Sequence, residues 1–101
     1  MRSATLLILL IPALAAGPAT ADDRDAGAAL ARSACAMCHA LPDGTGIQVG
    51  PALADLAAGQ EPFSAEGLRA VLQQDQHQPA LALIDPSTDA APLAAYLNSL
   101  Q

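Results

Sequence analysis

Apolar residues recur at helical spacing in several stretches of this chain, and none alternates with the period of two that marks a half-buried strand. Leu93, Tyr96, Leu97 and Leu100 share one helical face and predict a last helix from about Ala91 to Ser99. Asp89 as its N-cap puts Pro92 in the first turn, where a missing N–H has no helical partner. Leu68, Val71 and Leu72 share a second face behind Ser64, a good N-cap. Ala28, Leu30 and Ala31 lead toward Cys35 in a first helix that Asp22 or Asp23 can cap. Residues 51–56 fit a short helical turn ending before Gly59. Residues 41–51 hold Pro42, Gly44, Gly46, Gly50 and Pro51, and residues 75–86 hold Pro79 and Pro86, so both read as irregular loops. The pattern predicts a small all-α domain of three to four short helices and long loops.

The start of the chain follows a different logic. Met1-Arg2-Ser3 is a short basic opening, residues 5–16 are apolar apart from Pro12, and Ala19-Thr20-Ala21 precedes Asp22-Asp23. A charged start, an apolar middle and a small-residue exit are the layout of a cleavable secretory signal over residues 1–21. The apolar run is shorter than the roughly 20 residues of a membrane-spanning helix. The expectation is a periplasmic domain, residues 22–101, with no membrane span after cleavage.

Composition then poses a problem. A domain of roughly 80 residues has a thin core and usually needs a staple. This one has no Trp, and Phe63 and Tyr96 are its only large aromatics. Alanine is the commonest of its apolar residues and buries little area, so hydrophobic bulk is expected from elsewhere. After residue 21 three of the four basic residues and all ten acids remain, a net charge of −7. That balance disfavours nucleic acid and anionic membrane, which recruit clustered Lys and Arg, and permits docking on a basic partner.

Cys35-Ala36-Met37-Cys38-His39 is a C-x-x-C-H motif, the signature of covalent haem attachment. Two cysteines three apart at the end of a helix reach the two vinyl groups of one porphyrin, and the histidine after the second falls under the iron. Rival readings use the same cysteines. A thiol–disulfide site expects C-x-x-C beside a βαβ pattern, which is missing, and leaves His39 without a role. A structural zinc site needs four ligands, and only distant His77 could join Cys35, Cys38 and His39. A plain structural disulfide would not require His39.

With these residues the chain resembles the class I c-type cytochromes from Gly27 to its end. Gly27 stands eight residues before Cys35, where the family keeps a small residue at the crossing of its first and last helices. Gly50-Pro51-Ala52-Leu53 is similar to the family's G-P-x-L segment, and Leu93-Ala-Ala-Tyr96-Leu97-Asn-Ser-Leu100 to its C-terminal helix. The resemblance implies a class I cytochrome c-like fold around one covalent haem c, held by thioethers from Cys35 and Cys38 with His39 as the proximal iron ligand. It also implies that the other nitrogen of His39 donates to the Pro51 carbonyl and that Leu53, Leu56, Leu68, Leu72 and Leu97 pack on the haem. Tyr96 is expected between the terminal helices.

The implied function is transfer of single electrons between redox partner proteins, not enzymatic catalysis. One departure matters. The family's second iron ligand is usually a methionine before the last helix, and this chain has only Met1 and Met37. Ala80 falls about where that methionine belongs, and alanine cannot bind iron. The iron is then five-coordinate or water-bound, ligated by His77 in the same loop, or completed by a partner chain. The loop pattern favours the open site over His77. An open iron would instead suit a binder or sensor of a small gas, or a weak peroxidase.

Overall fold

The computed structural model describes residues 20–59 and 61–101. The secretory-type segment lies outside the described residues except for Thr20 and Ala21. Every regular element among the described residues is helical: α1 (Ala21–Leu30), continued by a π-helical turn (Ala31–Cys35), then α2 (Leu53–Ala58), α3 (Ala65–Leu72), a 3-10 segment (Asp75–Ala82) and α4 (Pro86–Ser99).

The helix starts are set by side chains that satisfy otherwise orphaned backbone donors. On α1 the Asp23 N–H donates to Thr20 Oγ1 at 3.1 Å and the Thr20 N–H donates back to the Asp23 carboxylate at 3.4 Å. The cap is therefore Thr20, not Asp22 or Asp23. Asp23 instead closes a capping box from the third helical position, where its charge also suits the helix dipole. Ser64 caps α3 as its sequence suggests, its Oγ accepting from the Gly67 N–H at 2.9 Å.

The last helix starts earlier than its apolar face suggests. Asp85 accepts from the Ser87 N–H, Pro86 occupies the first helical position, and Asp89 accepts from the Asp85 N–H at 2.8 Å. Asp89 thus reaches back to the cap rather than serving as one. Pro92 consequently sits inside the helix, where it removes an i→i−4 bond at a cost of roughly 3 kcal/mol in isolation. Tertiary packing outweighs that cost: Ala90, Leu93, Ala94, Ala95 and Leu97 are all buried. The loop expected over residues 75–86 is mostly the 3-10 segment, whose short turns accommodate Pro79.

Helices α1 and α4 form the largest interhelical contact. They cross at Gly27, where a methyl group would overlap the Pro92 carbonyl and come within 2.7 Å of Tyr96 Cβ. The crossing ridge is thus Pro92 and Tyr96, leaving the buried Leu93 and Leu97 to face the interior. Leu68 and Leu72 are buried on α3, whereas Val71, assigned to the same face, is 40% exposed. Among the described residues no large side chain is fully closed off from solvent; the most completely buried are alanines such as Ala31, Ala34, Ala57 and Ala90. A cluster this poor in volume leaves an apolar hollow.

Candidate functional site

The π-helical turn brings the first helix down to the C-x-x-C-H segment. Its extra residue is closed by the Ala36 N–H donating to the Ala31 carbonyl at 3.0 Å, and both the Cys38 and His39 N–H groups then donate to the Cys35 carbonyl. Such single π turns inside helices are frequent at functional sites. The following loop wraps around this segment and takes up its alternate carbonyls: Ala36 accepts from Ile47, Cys38 from Val49 and Gly50, and Ala40 from Leu53. Two glycines make that wrapping possible. Gly46 has φ +94°, and a Cβ there would stand 2.5 Å from the His39 carbonyl; a Cβ at Gly50 would come within 2.8 Å of His39 Cε1.

His39 Nδ1 lies 2.5 Å from the Pro51 carbonyl. A carbonyl only accepts, so Nδ1 carries the proton and the neutral ring keeps a lone pair on Nε2. The ring lines a cavity of about 460 Å³, within the range of roughly 300–1,000 Å³ usual for ligand sites. No charged side chain lines it among the described residues. The structure brings Cys35, Cys38, His39, Pro51 and Leu53 together on its walls with Leu56, Leu68, Leu72 and Leu97. His77 and Ala80, from the 3-10 segment, line it as well. Tyr96 also reaches this wall; burial, and to a lesser degree the charge of Asp43, raises its hydroxyl pKa.

The chemistry of the donors discriminates between the readings of the cysteines. Burial, reinforced by neighbouring Cys38, pushes the Cys35 thiol up to about 11. A thiol–disulfide catalyst needs the opposite shift, toward a thiolate at neutral pH. Nor does any group of three or more His, Cys, Asp or Glu side chains among the described residues form a metal site by itself. Two imidazoles, two thiols and an uncharged apolar slot fit a flat cofactor that brings its own equatorial donors to its metal. Haem meets that description, and it would fill the hollow that the alanine-rich core leaves.

Sequence reasoning missed two supports of this wall. Asn98 on α4 clamps Phe63 at two points, accepting from its N–H at 2.7 Å and donating to its carbonyl at 2.9 Å, so the α3 side of the cavity is tied to α4. The close approach of Gly50 to the His39 ring was the other; a glycine in a loop already rich in glycine gave no separate signal.

Among protein-family models, Cytochrome c matches residues 25–101. No curated protein and no solved structure matches the chain. The family match covers the C-x-x-C-H segment, the cavity and all helices except the first turn of α1, and it implies covalently bound haem c and haem-based electron transfer. With the all-helical fold built around that cavity, the chain belongs to the cytochrome c family, as a class I c-type cytochrome.

Proposed function

We propose that the protein is an exported, periplasmic carrier of single electrons between redox partner proteins. In this reading Cys35 and Cys38 hold the haem by thioethers and His39 Nε2 is its proximal iron ligand. The observation that carries the reading is the His39 ring, held by Pro51 through Nδ1 on the wall of an uncharged cavity, with no partner at Nε2 among the described residues. The Pro51 carbonyl fixes ring orientation and raises the basicity of the coordinating nitrogen, as outer partners of ligand histidines do. Leu53, Leu68, Leu72 and Leu97 exclude water from the haem faces. The haem supplies one-electron ferric–ferrous chemistry.

The N-terminal segment, residues 1–21, is read as the export signal, and haem attachment then occurs in the exported compartment. Among the described residues no helix is long and apolar enough to cross a membrane. The net charge of −7 left after residue 21 favours a partner with a basic docking face, and the docking rate should fall as salt screens it.

The test is acid–organic extraction of protein expressed with haem-attachment machinery, followed by intact mass. Haem retained on the chain and a one-electron redox titration support the reading; an apo mass with free thiols overturns it. A second reading, a gas-binding haem protein, rests on Ala80, which lines the cavity without a donor atom. Its signature is ready binding of carbon monoxide by the reduced protein.

A further inference from the structure

His77 does not stand as a solvated loop side chain. It is half-buried, lines the same cavity as His39, and its Nδ1 lies 2.8 Å from the Val71 carbonyl. That carbonyl only accepts, so Nδ1 is the protonated nitrogen and Nε2 of the neutral ring keeps its lone pair. His77 therefore repeats the arrangement of His39: a backbone carbonyl holds Nδ1, and among the described residues nothing bonds to Nε2. The two rings are nearly parallel, with centroids 6.4 Å apart and planes inclined by 20°.

That separation selects among the arrangements of the second axial position. Two imidazoles bound through Nε2 to opposite sides of one metal have centroids roughly 6 Å apart, because each metal–nitrogen bond is about 2 Å. A water held between the metal and His77 would widen the gap by a further hydrogen bond of about 2.7–2.9 Å. The observed spacing suits one metal and two direct bonds. We infer that His77 is the second axial ligand of the haem iron, through Nε2, taking the place of the methionine that the chain lacks.

The 3-10 segment explains how a residue three positions before Ala80 reaches the iron. Its tight turns and Pro79 present His77 and Ala80 to the same cavity, and the Val71 carbonyl at the end of α3 fixes the ring. Ala80 lines the cavity without a donor atom that could compete with the imidazole. The inference rests on the reading of His39 as the proximal ligand. It makes the iron six-coordinate, closed to gases, and lower in potential than a His/Met relative.

The test uses the full-length holoprotein, with covalent haem first verified by mass. Ferric wild type should be low-spin by electron paramagnetic resonance and lack a methionine–haem charge-transfer band, and the ferrous protein should not bind carbon monoxide on mixing. His77→Ala should turn high-spin and bind carbon monoxide, and added imidazole should restore the low-spin spectrum. His77→Met keeps the question answerable if the alanine variant folds poorly; it should stay low-spin with a raised potential. A high-spin wild type that binds carbon monoxide overturns the inference, as does a low-spin spectrum unchanged in His77→Ala. Both outcomes leave the covalent haem standing; the first favours the gas-binding reading, and the second leaves the electron-carrier reading in place. A mass without haem overturns that reading and this inference together.

Discussion

Gly27 of α1 lies against the backbone carbonyl of Pro92 on α4, too close for any side chain to stand between them. This gives Gly27→Ala a diagnostic sign. In an unconstrained helix interior that change would stabilise by roughly 1 kcal/mol. Here the methyl group would overlap the Pro92 carbonyl and press on Tyr96, so the helices must move apart. Gly27→Ala is expected to destabilise by about 1–3 kcal/mol, with Gly27→Leu worse. Thermal unfolding of the holoproteins measures it, and a raised melting temperature for the alanine variant would mean that the crossing is loose.

The Asn98–Phe63 clamp is the next target. Both Phe63 backbone groups are partly buried and both are satisfied by one side chain. Asn98→Ala strands them, at about 1–3 kcal/mol for the groups left unpaired. Asn98→Asp keeps the acceptor for the Phe63 N–H but loses the donor to its carbonyl, so it should fall between alanine and wild type. Denaturant unfolding orders the three; an aspartate variant weaker than alanine would show that the added charge, not the lost donor, dominates.

These two supports also show what the chain reveals on its own. The Gly27 crossing was readable because a helical glycine at a fixed distance from Cys35 is costly without a packing reason. That Cys35, Cys38 and His39 share a wall with several leucines is legible because C-x-x-C-H keeps its three residues together and the leucines recur at helical spacing. Pro92 as a first-turn residue puts the start of α4 too late, although Asp85, Pro86 and Asp89 form a start signal of their own. The rule that confines proline to the first turn yields here to the burial of the residues around Pro92. Asn98 gave no signal because its partner lies 35 residues away. The placement of the His77 ring nearly parallel to that of His39 depends on α3 ending where Val71 can hold it, which no pattern in residues 75–86 discloses.

Acid should probe the α4 cap. Asp85 accepts from both the Ser87 hydroxyl and the Ser87 N–H, and these bonds hold its carboxyl below its ordinary value of 3.8. A carboxyl with a depressed folded pKa contributes stability that is complete above the unfolded value and lost as pH falls through the folded one. The window therefore lies below about pH 4. Relief of repulsion among the surplus acids acts in the opposite direction, so the comparison must be between variants. Asp85→Asn retains a capping oxygen but not the titration, and its melting temperature should fall less steeply than that of wild type between about pH 4 and pH 3. Parallel acid limbs would assign the loss to other groups.

The proposed processing site and the α1 cap make opposing demands on Thr20. If the chain is cut between Ala21 and Asp22, the mature helix loses the Thr20 hydroxyl that accepts from the Asp23 N–H, and with it the reciprocal bond to the Asp23 carboxylate. Loss of such a cap costs about 1 kcal/mol. The helix survives because it is held further along, where Gly27, Ala31 and Ala34 are buried, and the new first residues, Asp22 and Asp23, put negative charge at the positive end of its dipole. N-terminal sequencing of exported protein should therefore read Asp22. Holoproteins beginning at Thr20 and at Asp22 should differ in stability by about 1 kcal/mol in favour of the longer chain, with fraying confined to the first turn by amide hydrogen exchange. An exported protein that keeps Thr20 would overturn the assigned cleavage site and leave the capping box as a feature of the mature fold.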